Sequence, residues 1–201
     1  LGITSVGAVT DSGTMAITGA TTISASGQDI TLDQAASTFG TLALTGANVA
    51  VTENAATELG ASTISGTFAI TSGGAITDSG TQAITGDATF TNTAGTDDAI
   101  TLDDASNAFG GTVTFATDSG SAVTIVDTTA LDLVALTAAS LSVTAGGAVT
   151  DSGTLAIAGA TTISASGQDI TLDQAASTFG TLALTGANVA VTDAGAVDLG
   201  A

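Results

Sequence analysis

The chain has 201 residues, and 106 of them are alanine, threonine or glycine. It contains no Lys, Arg, His or Cys, and its 19 acidic residues give a formal net charge of -19 at pH 7. Without basic side chains it lacks the groups that hold phosphate and nucleic acid, and without His or Cys it lacks a catalytic triad, a thiolate nucleophile and an ordinary zinc site. Carboxylate chemistry, oxygen-ligated metals and structural roles remain.

Short alternations of apolar residues with Thr, Ala or Ser follow one another along the chain. An apolar residue at every second position is typical of a β-strand, and Thr, Val and Ile favour strands. Each alternation lasts three to five residues before Gly, Asn, Asp or Ser predicts a turn. In chain order the predicted strands lie in residues 13–18, 30–32, 40–45, 49–51, 66–71, 80–85, 123–125, 141–143 and 180–185.

The chain is internally repeated. Residues 7–61 match residues 147–201 at an offset of 140 with seven differences, and a diverged copy lies between them. We therefore expect one continuous unit over residues 1–201 with internal repeats at 7–73, 74–146 and a partial 147–201. Repeats that cannot close a core alone bury their apolar residues by stacking.

Strand length and composition decide between the all-β architectures. Transmembrane β-strands need about 9–11 residues and aromatic girdles, whereas these strands are half that length and the chain has no Trp or Tyr. Separate sandwich domains would need larger core side chains. The pattern predicts a right-handed parallel β-helix, a β-solenoid of about nine rungs with ~22 residues each and a length of roughly 43 Å.

Phe and Asp recur at equivalent places in the copies. The three Phe residues precede a Gly, and we expect them to fill a corner of the coil that Ala is too small to fill. The Asp residues precede Ser-Gly or end a strand, and we expect them to form turns by accepting an N–H two residues further on. The Phe positions are Phe39, Phe109 and Phe179; the Asp positions are Asp11, Asp78 and Asp151, and Asp33, Asp103 and Asp173.

The densest acidic cluster is the candidate calcium site. Its two Asp pairs flank a four-residue strand that spans ~13 Å, so a shared ion would need ligands from a neighbouring rung, and two solvated turns are the simpler interpretation. No other cofactor is predicted. The cluster consists of Asp97, Asp98, Asp103 and Asp104.

Two further activities are weaker hypotheses. Asp29 and Asp33 lie ~13 Å apart along an extended strand, farther than the carboxylate separations of glycosidases, so no enzymatic activity is expected. Outward Thr residues resemble the rows of ice-binding solenoids, but the Thr-x-Thr pairs are scattered in the sequence and strand propensity alone explains them.

The repeated run Gly-Ala-Ile-Thr-Asp-Ser-Gly-Thr, followed by Asp-Ile-Thr-Leu-Asp-x-Ala with Phe-Gly and by Leu-Gly-Ala-Ser-Thr-Ile-Ser-Gly at residues 59–66, resembles the β-strand repeats of filamentous-haemagglutinin-like giant surface proteins. The resemblance covers essentially the whole chain. It implies export across the bacterial outer membrane and a β-helical stalk that serves attachment, aggregation or matrix building.

These observations predict a structural extracellular shaft of a bacterial surface adhesin or fibre, without a catalytic site. The alternatives are a self-assembling subunit of an extracellular filament, sheath or matrix, and a calcium-stabilised adhesin module. The expected partners are like copies or further repeats, end to end or side by side, without nucleic acid or membrane insertion. Extracellular location, on the bacterial surface or in a secreted fibre, follows from the resemblance.

Overall fold

A computed structural model describes residues 1–93, 95 and 97–200. These residues form 24 short β-strands and no helix. All strand pairs among them are parallel, and the strands lie in two sheets of 14 and ten strands. The first sheet holds β1 (Gly2–Thr4), β3 (Ala16–Ser24), β5 (Thr38–Gly46), β7 (Thr57–Leu59), β8 (Ser62–Ile64), β10 (Ile76–Asp78), β11 (Gln82–Ile84), β13 (Ile100–Leu102), β14 (Ala108–Phe109), β16 (Ala122–Asp127), β18 (Leu136–Ala138), β19 (Ser140–Ala145), β21 (Leu155–Ser164) and β23 (Thr178–Thr185).

The second sheet gives the count of coils most directly, since each coil contributes one strand to it. Its order follows the chain without interruption. The strands are β2 (Val9–Thr10), β4 (Ile30–Leu32), β6 (Val49–Glu53), β9 (Phe68–Ser72), β12 (Ala88–Asn92), β15 (Thr112–Ala116), β17 (Leu131–Leu133), β20 (Val149–Asp151), β22 (Ile170–Leu172) and β24 (Val189–Val191). Parallel pairing of every strand with the corresponding strand of the next coil defines a β-solenoid of about nine turns and confirms the predicted fold class.

The coil is slightly shorter than expected and varies in length. β2 begins at Val9 and β24 at Val189, nine coils later, so the average repeat unit of this solenoid is about 20 residues rather than ~22. A short coil separates the paired residues Leu42 and Leu59, and a long one separates Ala88 and Val113. The variation lies in the turns, where added residues leave the strand pairing intact.

The copies therefore contain about three and a half coils rather than three. The Ile-Thr-Leu motif shows the consequence: β4 and β22 carry it in the second sheet, whereas β13 carries it in the first sheet. Because a copy has about 70 residues and a coil about 20, each copy advances the stack by a half-turn beyond three full coils. Successive copies thus place the Ile-Thr-Leu strand in different sheets, whereas the Phe of the motif lies in the first sheet in all three copies.

The interior is a stack of Ile, Leu, Val and Ala with one aromatic cluster. Along most strands every second side chain points inward and is buried, as in Val49 and Val51 of β6. The ring centroid of Phe90 lies 5.9 Å from that of Phe68, 6.0 Å from that of Phe109 and 5.8 Å from that of Phe115. Each coil closes its core against the coils on either side of it.

Candidate functional site: the contacts between coils

The Asp residues before Ser-Gly join neighbouring coils. Each accepts a hydrogen bond from the backbone N–H of the Asp that ends a strand in the next coil, and no acceptor–donor pair is closer than 22 residues in sequence. The expectation that these Asp residues accept an N–H two residues on is wrong. The pairs are Asp11 Oδ1 with Asp33 N at 3.0 Å, Asp78 Oδ1 with Asp103 N at 2.8 Å, and Asp151 Oδ1 with Asp173 N at 2.8 Å.

Local turn bonds belong to other carboxylates. Asp104 accepts the N–H of Ser106 at 2.9 Å, and Asp127 accepts that of Thr129 at 2.9 Å. Asp33 instead accepts the side-chain amide of Gln34. The motif Asp therefore serves the stacking of coils more than the geometry of its own turn.

A second contact between coils recurs at the residue two before each motif Phe. Its buried side chain accepts a backbone N–H from the preceding coil, so a neutral acceptor satisfies a donor that the sheet leaves unpaired. The pairs are Ser37 Oγ with Met15 N at 3.0 Å, Asn107 Oδ1 with Gln82 N at 2.7 Å, and Ser177 Oγ with Leu155 N at 3.0 Å.

The three motif Phe residues lie inside the solenoid. Phe39 is 5%, Phe109 0% and Phe179 6% exposed. The Gly that follows each one lies against backbone carbonyls of the neighbouring coil: a Cβ on Gly40 would stand 2.5 Å from Thr18 O and 2.7 Å from Gly19 O. The Phe-Gly pair thus combines a large buried ring with a close approach of two backbones.

The candidate calcium residues do not converge on one place. Asp103 and Asp104 follow β13, and their backbone N–H groups point to the Asp78 carboxylate. Asp97 has a φ of 57°, and the carbonyl of Asp98 accepts a hydrogen bond from Asn92. Within residues 1–93, 95 and 97–200, no three or more Asp or Glu side chains are grouped so that they could hold a metal ion.

Exposed Asp residues that precede strands of the second sheet also connect coils. Asp29 Oδ1 accepts the side-chain amide of Asn48 at 2.9 Å, and Asp87 Oδ1 accepts both the N–H of Thr112 at 2.9 Å and its hydroxyl at 3.0 Å. The Thr112 bonds, of which the backbone bond is the stronger influence, lower the pKa of Asp87. An open groove of about 380 Å³ lies beside Asp87 and Asp132.

In the portion of the chain that the structure describes, three carboxylates are buried, and the sequence analysis missed two of them, Glu53 and Asp127. Glu53 is 3% exposed and Asp127 is 1% exposed. Glu53 Oε2 accepts the N–H of Phe39 at 2.9 Å, and Asp127 Oδ1 accepts the N–H of Phe109 at 3.2 Å. The alternation of β6 could have predicted the burial of Glu53, because Glu53 occupies the next inward position after the two buried Val residues.

Burial raises the pKa of the Glu53 and Asp127 carboxyls, since a charged group loses its hydration there. The nearby Thr57 hydroxyl and the hydrogen bond from the Phe39 N–H oppose the rise in the pKa of Glu53. Those from Thr129 and Phe109 oppose the rise in the pKa of Asp127. Burial is the larger influence in each case, so both groups bind a proton more readily than an exposed carboxyl does.

Asp151 is the third buried carboxylate and also one of the Asp residues before Ser-Gly that join neighbouring coils. It is 6% exposed, and burial raises its pKa. Backbone hydrogen bonds from Asp173 and Gln174 oppose that rise, whereas the negative charge of Asp173 adds to it. The contact between these two coils therefore brings like charges together around one shared N–H.

A repeat-built β-solenoid, held together by hydrogen bonds between coils, is the class of protein that this geometry defines. The chain belongs to the family of Repeats of unknown function (DUF5649), whose model matches residues 1–45, 46–116 and 120–186. No curated protein and no solved structure matches the chain. Among the described residues, no helix is long and apolar enough to cross a membrane.

Proposed function

We propose that the chain is a structural shaft of a bacterial extracellular surface protein or fibre, and that it sets the distance and stiffness between other parts. The observation that carries the proposal is the unbroken parallel pairing of the second sheet from β2 to β24. A rod built this way resists bending, because every coil is bonded to the next by backbone hydrogen bonds and by buried side chains. The function then resides in length and rigidity, without catalysis.

The composition supports an exposed location and repulsion between neighbouring rods. The net charge of -19 has no basic side chain to balance it, and a high net charge keeps rods dispersed in solution. Absence of Cys suits export in an unfolded state, since no disulfide forms early. The resemblance to filamentous-haemagglutinin-like repeats stays a prediction, and adhesion stays part of the proposal.

Two measurements test the shaft. Small-angle X-ray scattering on the purified chain should give a rod of about 43 Å along the coil axis, from nine steps of ~4.8 Å. Antibodies raised against the chain should label intact source cells as strongly as permeabilised ones. A compact particle would contradict the rod, and labelling that requires permeabilisation would contradict the surface location.

A self-assembling filament subunit is the second candidate. Residues 21–52 recur unchanged as residues 161–192, so coils of one copy have the same inward residues as coils of another. Two copies would therefore stack in the register that coils of one chain use. Particles that lengthen with protein concentration in electron micrographs support this candidate; a constant length over a hundredfold range of concentration contradicts it.

A calcium-stabilised adhesin module is the third candidate. It predicts that added calcium raises the melting temperature and that a chelator lowers it. A melting temperature that does not respond to either contradicts the module while leaving the shaft untouched, because the shaft needs only contacts between coils.

A further inference from the structure

Two of the buried carboxylates, Glu53 and Asp127, occupy the same kind of place in successive copies. Each one accepts the backbone N–H of a motif Phe, Phe39 for Glu53 and Phe109 for Asp127. In each case the acceptor comes later in the chain, after 14 and 18 residues, and the Phe lies on the first sheet. A buried acid next to a buried Phe is thus a recurring junction.

One oxygen of each carboxylate is left without a partner. Glu53 Oε1 and Asp127 Oδ2 are buried and make no hydrogen bond within the described part of the chain. The Thr57 hydroxyl influences Glu53, but its Oγ1 is likewise buried without a hydrogen bond of good geometry. An ionised carboxylate in such a place is costly, because burial removes its hydration and the chain has no basic side chain to pair with it.

The surrounding elements supply no positive charge. β6 packs against β9, which has no titratable residue, and against β4, after which Asp33 follows; Glu58 lies on the nearby β7. β16 packs against β13, after which Asp103 and Asp104 follow, and against β19, which has no titratable residue. Every titratable group on these elements is therefore an acid, and the chain has no basic side chain to compensate the charge at the junctions.

We propose that the junctions at Glu53 and Asp127 are proton-binding sites that tighten the solenoid in acid and loosen it at neutral and alkaline pH. The proton goes to the unpartnered oxygen, while the other oxygen still accepts the Phe N–H. Protonation removes the buried charge without breaking the contact between the coils. In a rod this acts as a control of stiffness by the acidity of the surroundings.

The direction in which stability changes with pH follows from the linkage between proton binding and folding. The pKa of Glu53 is raised above 4.5 and that of Asp127 above 3.8, their ordinary values. The folded chain then holds these protons over a pH range in which the unfolded chain releases them. The stabilisation is complete below the ordinary values and is lost as the pH rises through the raised folded values.

Chemical denaturation of matched variants tests the proposal. The double variant Glu53→Gln/Asp127→Asn replaces both junction acids by neutral groups of the same shape, and Glu58→Gln/Asp198→Asn removes two exposed charges instead. At pH 8 the unfolding constant of the junction variant should fall about tenfold relative to the native chain, since an unpaired buried charge costs at least that much. Its stability should also change much less between pH 4 and pH 8.

The control variant should keep the full pH dependence of the native chain. An equal loss of pH dependence in both variants would overturn the proposal, because general repulsion between acids would then explain it. High salt separates the two causes further, since it screens exposed charges far more than buried ones.

Hydrogen exchange gives a readout that does not depend on the variants folding. In the native chain, protection of the Phe39 and Phe109 amides should fall severalfold from pH 4 to pH 8 after correction for intrinsic exchange. The Gln82 and Leu155 amides, which donate to neutral side-chain acceptors of the next coil, should keep their protection. A parallel change in all four amides would overturn the proposal.

Discussion

At the scale of single residues, Phe90 lies at the centre of the aromatic cluster. Its ring meets those of Phe68 and Phe109 edge to face and stacks on that of Phe115. Elsewhere the interior is built mainly of aliphatic side chains, so this cluster supplies a large part of the buried area in its coils.

Replacing Phe90 by Ala should lower the free energy of unfolding by about 3–5 kcal/mol, because the cavity is enclosed by three rings that are fixed by the strands. Urea denaturation monitored by circular dichroism measures the change. Val6→Ala, at a side chain that is 99% exposed, should change the free energy by less than about 0.5 kcal/mol. A loss below about 1 kcal/mol for Phe90→Ala would show that the core relaxes into the space.

The burial of some Phe residues, but not their clustering, could be predicted from the sequence. Motif repetition pointed to three Phe residues, all of which are buried, but the aromatic cluster also contains Phe68, Phe90 and Phe115. Each of these three lies in a strand with alternating apolar residues. Their meeting depends on which coils are neighbours, and that follows from the coil length, which the length of a copy does not define.

At the scale of elements, the Phe-Gly pair lies opposite an irregularity in strand pairing. The register of β3 against β5 shifts between Ile17 and Ala20. The carbonyls of Thr18 and Gly19 thereby come close to Gly40. The same arrangement recurs at Gly180 against Ala158 and Gly159.

Gly40→Ala should therefore lower the free energy of unfolding by about 1–3 kcal/mol, because the new methyl group meets two backbone carbonyls that only a shift of the coil would move. Gly13→Ala is the matched control, since no atom lies within 4 Å of its Cβ position. Thermal melts of the two variants measure the difference. Equal melting temperatures would mean that the neighbouring coils separate without cost.

Strand existence was largely predictable from the sequence, whereas the partners of the Asp residues were not. Alternation and turn residues locate β4, β6 and β9 without knowledge of the fold. Asp11, by contrast, accepts an N–H from Asp33 across 22 residues. The same Asp oxygen can accept an N–H from its own turn or one from the next coil. Which of the two bonds forms depends on how the coils stack.

At the scale of the whole molecule, successive copies place equivalent strands differently in the stack of coils. The Ile-Thr-Leu strand lies in the second sheet in the first and third copies and in the first sheet in the second copy. The sequence of a copy therefore specifies strands, turns and inward positions, without specifying which sheet its Ile-Thr-Leu strand joins.

Removal of residues 30–99 tests whether equivalent strands of two copies can replace one another. The deletion joins Asp29 to Ile100, so that β13 takes the place of β4 above β2, and Asp103 takes the place of Asp33 beside Asp11. The strand that carries Phe109 then takes the place of the one that carries Phe39, and both lie in the first sheet of the native chain. We expect a folded rod with cooperative unfolding, shorter by three and a half coils or about 17 Å, measurable by circular dichroism and small-angle scattering.

Removal of residues 30–100 is the matched control, because it differs by a single residue. It places Thr101 at the inward position of Ile30 and turns Leu102 outward, and a shift of one residue exchanges the buried and exposed sides of a strand. This control should lose cooperative unfolding and bind hydrophobic dyes. If both deletions unfold alike, each copy is tied to its own place in the stack of coils; if both fold alike, the inward alternation does not govern the stacking of coils.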